Sequence, residues 1–360
     1  MAELSVQLRV LSHECSIDPH KDPIISSERT AVHSGKLGDI IYALPTCRAL
    51  GISHLVLNIY DDPGDPLRLF TYRSARRLVP LLLAQTYIKK VSISQCHIPL
   101  EKIGNLISGI DYNFDNYRNV PRHRLNYQYP NLHPDIIKFS IDHFPVHLMQ
   151  CFGAALGVRV GMDEPWLEVK SSSVSKNTVV ISLTKNWRSY QDAYWSLLLR
   201  DVGKVLFVGL PSEWEKFRSL SLKNCEYVRT ENYLDLASVI SGADLFLGTI
   251  SFPYAIAEAL KVKRAVEICH KNLNAFPVGP RGYVLPIDVM KARQLVGHLL
   301  SKETSRTYEL VTKSMRMSIP SQLCRLSQVL NIRTRHQSHE WMQLLFNFLR
   351  LIRVHSRLRT

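Results

Sequence analysis

A chain of 360 residues with 46% hydrophobic residues, 16 Gly, 18 Pro and 7 Cys is neither a disordered tail, nor a collagen-like fibre, nor a disulfide-stapled mini-protein. At roughly 100–200 residues per domain the length suggests two domains, each able to bury its own core. The formal charge of +14 is unevenly spread: residues 301–360 hold eleven Lys and Arg against three Asp and Glu, so over half of the excess belongs to the end of the chain and nucleic acid is an unlikely partner for the body.

The cysteines, Cys15, Cys47, Cys96, Cys151, Cys225, Cys269 and Cys324, are odd in number, scattered and free of any CxxC or zinc spacing, which points to a reducing, cytoplasmic compartment. The start of the chain lacks the charged and apolar pattern of a secretory signal. Its most apolar run, 78–84, is far short of the ~20 residues of a membrane span. The expectation is a soluble protein, or a peripheral one at the inner face of a membrane.

Residues 1–27 carry no sustained period and read as an extension of uncertain order. Beyond them, strand-length apolar runs alternate with helix-length segments. Strands are expected at 30–33, 54–60 and 89–94, with helices at 39–50 and 75–85. This alternation is the mark of βαβ units and a parallel sheet. The aromatic and basic stretch 112–135, punctuated by Pro121, Pro130 and Pro134, reads as a long loop, followed by a helix over 136–156 and a linker over 157–165.

A second array repeats the style. Strands are expected at 178–183, 205–210, 227–229, 245–248 and 264–268, and helices at 192–201, 212–220, 233–242 and 252–261. The organisation is thus an extension 1–27, a first α/β domain 28–160, a second 166–300 and a tail 301–360. The tail shows helical patterns at 289–301, 320–330 and 339–358. In its last segment Trp341, Leu344, Leu345, Phe348 and Leu349 alternate with arginines, an amphipathic basic face.

The sharpest local feature is His33-Ser-Gly-Lys-Leu-Gly-Asp39, between a strand and a helix running on to Leu44-Pro45. Glycines there let the backbone approach a ligand, and the helix start offers free N–H donors, which makes Ser34, Gly35, Lys36 and Gly38 a candidate substrate turn. Asp39 then lies at a strand's carboxyl edge, where open α/β sheets bind ligands. Its chemistry allows a general base, a metal ligand or a helix N-cap. Two features stand in the second array: Arg188 just past the strand 178–183, and Thr249 and Ser251 before a helix that carries Glu258. Hydroxyls and free N–H groups at that helix start suit a phosphate, and Glu258 is placed to reach a ribose hydroxyl. A solvated Arg, a Ser N-cap and a salt-bridged Glu are the plainer readings.

The stretch Ser34-Gly-Lys-Leu-Gly-Asp-Ile-Ile-Tyr-Ala-Leu-Pro-Thr-Cys-Arg-Ala-Leu50 resembles the opening signature of glycosyltransferase family 9, the heptosyltransferase-like enzymes. Gly242-Ala-Asp-Leu-Phe-Leu-Gly-Thr-Ile-Ser-Phe-Pro-Tyr-Ala-Ile-Ala-Glu-Ala-Leu260 is similar to that family's second signature. This chain reads Ile250-Ser251-Phe252 and Ala255 where the family usually has Asp-Ser/Thr-Gly and His. The resemblance implies a GT-B architecture of two Rossmann-like domains facing a cleft, with an acceptor domain first and a nucleotide-sugar domain second. It implies transfer with inversion, with Asp39 as base, Arg188 where the family has a phosphate-binding Lys, and Thr249 and Ser251 in the donor-phosphate turn. A nucleotide sugar, ADP-linked by preference, is a co-substrate on this reading, and no cofactor is implied.

A base on the acceptor hydroxyl and cations on the leaving diphosphate are what such a transfer needs. No Asp-x-Asp pair lies at a strand end and no histidine pair has metal spacing, so metal independence is expected. His33, near the glycine turn, is the one histidine close to the chemistry. Tyr117 and Arg118 in the 112–135 loop are candidates for binding a glycan or glycolipid acceptor. Two other readings stay open: a non-catalytic nucleotide-sugar-binding protein on the same scaffold, and a basic peripheral protein whose C-terminal helix meets a membrane.

Overall fold

The computed structural model describes residues 28–59, 70–94, 109–115, 147–184, 188–220, 222–267 and 274–301. The expectations for the extension 1–27, for Tyr117 and Arg118 and for the tail beyond 301 lie outside the described residues. Within them the protein is an α/β structure of two parallel sheets.

The first sheet comprises β1 (Arg29–His33), β2 (Ile52–Asn58), β3 (Lys90–Ser94) and β4 (Tyr112–Asn113), in the order β3-β2-β1-β4 and parallel throughout. Its helices are α1 (Leu37–Leu50), α2 (Tyr72–Leu83) and α3 (Leu148–Ala155). β4 falls where a loop was expected. Two residues suffice to pair with Ala31 and Val32, a pairing too short to leave a periodic signal. Of the helix expected over 136–156, α3 is the part inside the described residues.

The second sheet is built from β5 (Val179–Ser182), β6 (Val205–Phe207), β7 (Cys225–Tyr227), β8 (Leu245–Thr249), β9 (Arg264–Glu267) and β10 (Gly282–Val284). α4 (Asp192–Leu199), α5 (Pro211–Arg218), α6 (Tyr233–Ser241), α7 (Phe252–Ala259) and α8 (Val289–Leu300) cover it. The order β10-β9-β8-β5-β6-β7, parallel at every pair, is the doubly wound arrangement in which the chain starts in the middle, winds to one edge and returns to wind to the other. The direction reverses between β5 and β8, and between β1 and β4 in the first sheet. Ligand crevices lie outside the carboxyl ends of strands at such points. No helix among the described residues is long and apolar enough to cross a membrane.

Two packing features set the crevices against each other. Residues 40–47 of α1 are buried on every side, because the helix lies on its own sheet and packs against α3 and α7 as well. Pro45, inside α1, has no N–H to give to the Ile41 carbonyl four residues earlier. The indole Nε1 of Trp166 donates to that carbonyl at 2.9 Å, so the segment leading to the second sheet is tied to α1 by the one acceptor that the proline releases. Gly51, at φ 67°, then closes α1 in the left-handed conformation.

The second tie is Arg77 of α2. Its Nε and Nη2 donate to the carbonyls of Glu231 and Thr230 at 3.0 and 2.9 Å, and its guanidinium lies over the Tyr233 ring, 4.8 Å from the centroid. One apolar core cluster runs from the first sheet through α1 to α6 and α7. A second fills the far face of the second sheet, beneath α4 and α8.

Candidate active site

Asp39 is the third residue of α1, and Lys36 holds the N-cap without a side-chain cap bond. The N-cap reading of Asp39 is therefore replaced: its carboxylate stands in the first turn, half-buried, at the positive end of the helix. A Cβ at Gly35 would lie 3.5 Å from Asp39 Oδ2 and 2.6 Å from His33 Cε1, so the bare glycine leaves room for both side chains. A Cβ at Gly38 would lie 3.7 Å from the Ala255 Cβ. The first turn of α1 is thus in van der Waals reach of α7, which brings the carboxyl edges of the two sheets together beside Asp39.

Ser34 faces inward. Its N–H donates to the Asp115 carboxylate at 2.9 Å, and its hydroxyl accepts from Asn58 Nδ2 at 2.8 Å, so it braces the turn from below. Gly35, Lys36 and Gly38 are half-buried and form its outer surface. His33 is sealed between Phe114 and Phe152, with its Nδ1 accepting from the Gly35 N–H at 2.9 Å. Burial lowers its pKa to about 3, so the ring is neutral near pH 7 and its 3.6 Å approach to Asp115 is not an ion pair. Its role is to shape the glycine turn.

In the second sheet Thr249 and Ser251 do less for a ligand than their residue types suggest. Thr249 is fully buried. Its Oγ1 accepts from the Thr184 N–H at 3.0 Å, tying the loops after β5 and β8 together where the winding reverses. The expectation of a direct phosphate contact is corrected accordingly. Ser251 does cap α7, with its hydroxyl accepting from the Tyr254 N–H at 3.4 Å. With Pro253 at the second helical position, the first turn has lost one donor to proline and given another to its own cap. The start of α7 is thereby left with fewer donors for an anion than an ordinary helix N-terminus.

Glu258 is also corrected. It is fully buried beneath α7, with Oε1 accepting from Lys261 Nζ at 2.6 Å and Arg264 Nη2 at 2.7 Å. Its Oε2 accepts from Arg264 Nε at 2.5 Å and from the Tyr254 hydroxyl at 3.1 Å. Both cations hold its carboxyl below the usual range, although burial works the other way. A ribose cannot reach it, and its work is structural.

Arg188 stands where a ligand can meet it. It lies in the loop between β5 and α4, 23% exposed, with Nη2 2.5 Å from Asp192 Oδ1. It lines a cavity of about 620 Å³, bounded on one side by Thr184, Tyr190 and Gln191 and on the other by Ser212, Glu213 and Lys216 of α5. That is nucleotide-sized, apolar along Leu183, Leu210 and Phe217, with two cations in its wall.

Glu213, Lys216 and Glu267 were missed in the sequence. The first two follow β6, where Gly209 at φ 154° opens the turn into α5 in the same strand-to-helix pattern that singled out the 33–39 turn. Glu267, on β9, carries no such signal. Among the described residues, no group of three or more His, Cys, Asp or Glu is placed to hold a metal ion.

No protein-family model and no curated protein matches this chain. Among solved structures it is similar to the family 9 glycosyltransferase of Veillonella parvula DSM 2008, at 13% identity over 78% of this chain and 91% of that one, with a TM-score of 0.45. It is similar to the E. coli heptosyltransferase WaaC with ADP at 12% identity, 76% and 99% coverage and a TM-score of 0.47. The E. coli ADP-heptose lps heptosyltransferase II gives 12%, 76% and 98% with a TM-score of 0.45.

Proposed function

We propose that the protein is an inverting glycosyltransferase of the GT-B type that moves a sugar from a nucleoside-diphosphate donor to a hydroxyl of a glycan or glycolipid. The observation that carries this reading is the approach of Gly38 to Ala255, which sets the carboxylate-bearing turn of one sheet beside the helix start of the other. The likeness of residues 34–50 to the family's opening signature supports it.

In this mechanism Asp39 takes the proton of the acceptor hydroxyl while that oxygen attacks the anomeric carbon. The bond from that carbon to the diphosphate breaks on the opposite face, so the configuration inverts. Arg188, with Lys216 across the cavity, balances the charge gathering on the leaving diphosphate. The side chains themselves supply base and cations, so the proposed reaction runs without a divalent metal. We assign the nucleoside to the Arg188 cavity, with ADP the first nucleotide to test, and place the reaction in the cytoplasm with the basic tail at the membrane face. The lean donor set at α7 favours one other reading, a protein that binds nucleotide sugars without transferring them.

Calorimetric titration with ADP, UDP, GDP and CMP, with and without magnesium, tests the assignment. One of them is expected to bind, indifferent to magnesium. Arg188→Ala is expected to weaken it about 10- to 100-fold, the worth of a lost charge-assisted contact. If none binds, the cavity is not a donor site and the proposal falls.

A further inference from the structure

Glu267 ends β9 in register with Thr249, on the side of the sheet covered by α4, and is fully buried. One oxygen, Oε1, accepts from two consecutive backbone N–H groups, those of Ser189 and, at 2.6 Å, Tyr190. These are the residues directly after Arg188, so this carboxylate holds the backbone on which the cavity's cation is carried. Its other oxygen, Oε2, lies by the indole of Trp195, and it, that indole Nε1 and Nε of Arg188, all buried, make no close hydrogen bond among the described residues. Buried polar atoms are normally paired, so a carboxylate oxygen and an arginine Nε left this loosely held, one behind the Arg188 loop and one on it, call for a reason.

We propose that Glu267 is a positioning residue of the donor-diphosphate site and is proton-linked to it: Oε1 fixes the Arg188 loop, and Oε2 takes up a proton from solvent when a diphosphate binds at Arg188. This rests on the assignment of the Arg188 cavity to the donor.

The surroundings give the direction of the linkage. Among the described residues, Arg188 is the charged group that faces Glu267. The N–H groups of Ser189 and Tyr190 and the indole of Trp195 also favour its carboxylate form, while the hydroxyls of Tyr190 and Tyr194 stand near from the start of α4. Asp192 reaches it through its ion pair with Arg188, and Asp288 lies beyond Tyr194. Desolvation outweighs these partners and raises the pKa to about 7.

A diphosphate at Arg188 brings like charge towards Oε2 and draws on the same guanidinium, which raises the pKa further. The complex then holds more protons than the free protein near neutrality. Affinity is highest below about pH 7 and declines as pH rises through it. Carboxylate and diphosphate compete for one cation, and the proton decides between them.

The test uses ADP-glucose and UDP-glucose, whose diphosphate is esterified at both ends and does not itself titrate near neutrality. Titrations of the wild type at pH 6 and pH 8, repeated in buffers of different ionisation enthalpy, are expected to show affinity falling about five- to tenfold with pH and net proton uptake on binding. Glu267→Gln keeps an oxygen for the loop but no charge. It should abolish the uptake, flatten the pH profile and bind more tightly than the wild type at pH 8. Glu267→Ala frees the loop and should weaken binding at both pH values.

A merely structural glutamate would make both variants weaker and leave no proton uptake in the wild type, and that result overturns the proposal. If the wild type binds through Arg188 with no pH dependence, the inference fails and the donor site stands. If neither nucleotide sugar binds at any pH, both fall. Should Glu267→Gln not fold, the wild-type proton count decides alone.

Discussion

Asp39→Asn is expected to slow sugar transfer by about 10²–10⁴-fold, the usual share of a general base, while donor binding stays within about twofold of wild type. The substitution is isosteric, so the first turn of α1 keeps its shape against Ala255 and the glycine turn stays braced by Ser34 and His33. What is lost, in the proposed mechanism, is the group that accepts the acceptor's proton. His33 cannot replace it, since burial keeps its ring neutral and its Nδ1 is engaged by Gly35. Nucleoside-diphosphate release with donor and acceptor present, alongside calorimetry of the donor alone, separates the two effects. Turnover kept at the wild-type rate would remove Asp39 from the mechanism. Equal loss of binding and turnover would mean that its role lies in the fold.

The second large effect is on stability. Arg264→Met is expected to cost about 3–5 kcal/mol, because it strips most of the compensation from a carboxylate wholly out of water. Arg264 is itself fully buried and donates twice to Glu258, and also to the carbonyls of Val262, Val278 and Pro280. Lys261, the other cation, adds a donation to the Val278 carbonyl at 2.9 Å and lies over the Trp166 ring, 4.7 Å from its centroid. The group therefore fastens α7 and β9 to the segment before β10 and to the tryptophan that seals α1.

Urea denaturation of Arg264→Met and of the pair Arg264→Met with Glu258→Gln tests this. The double variant should recover part of the loss, since it removes the stranded charge as well. The pH dependence has a definite sign. Glu258 has a lowered folded pKa, so its contribution is present above the unfolded value and is lost as pH falls through the folded one. Lys261, lowered to about 8, opposes folding while charged. That penalty is relieved as pH rises from about 8 towards the unfolded lysine value.

The architecture was legible because its signals are local. Apolar runs after Arg29 and Asp244, each leading into a glycine- or hydroxyl-marked helix start, place β1, α1, β8 and α7 within a few residues of where they are. The short elements were less legible. β4 and β10 have two and three residues, and β7 starts two residues before its expected place, since a half-buried edge strand shows no clean alternation.

At the candidate site, the positions of Asp39 and Arg188 after a strand are as the sequence leads one to expect, and the roles assigned to them are part of the proposal. Thr249 and Glu258 were misread for one reason: residue type announces what a side chain can do, and the face it points to decides what it does. Thr249 turns towards the Thr184 loop, and Glu258 towards Arg264, a strand residue with no motif to announce it. Glu267 stayed hidden in a strand for the same reason.

In the proposed enzyme the two carboxyl edges form one site, with the donor on the second sheet and the base on the first. Hydrogen–deuterium exchange read by mass spectrometry, with and without the nucleotide that calorimetry selects, tests it most directly. Slower exchange is expected in peptides covering 188–191, the start of α5 and 249–254, together with the first turn of α1 at 35–39. Bound nucleotide that protects none of these segments, or protects only residues remote from both edges, would contradict it.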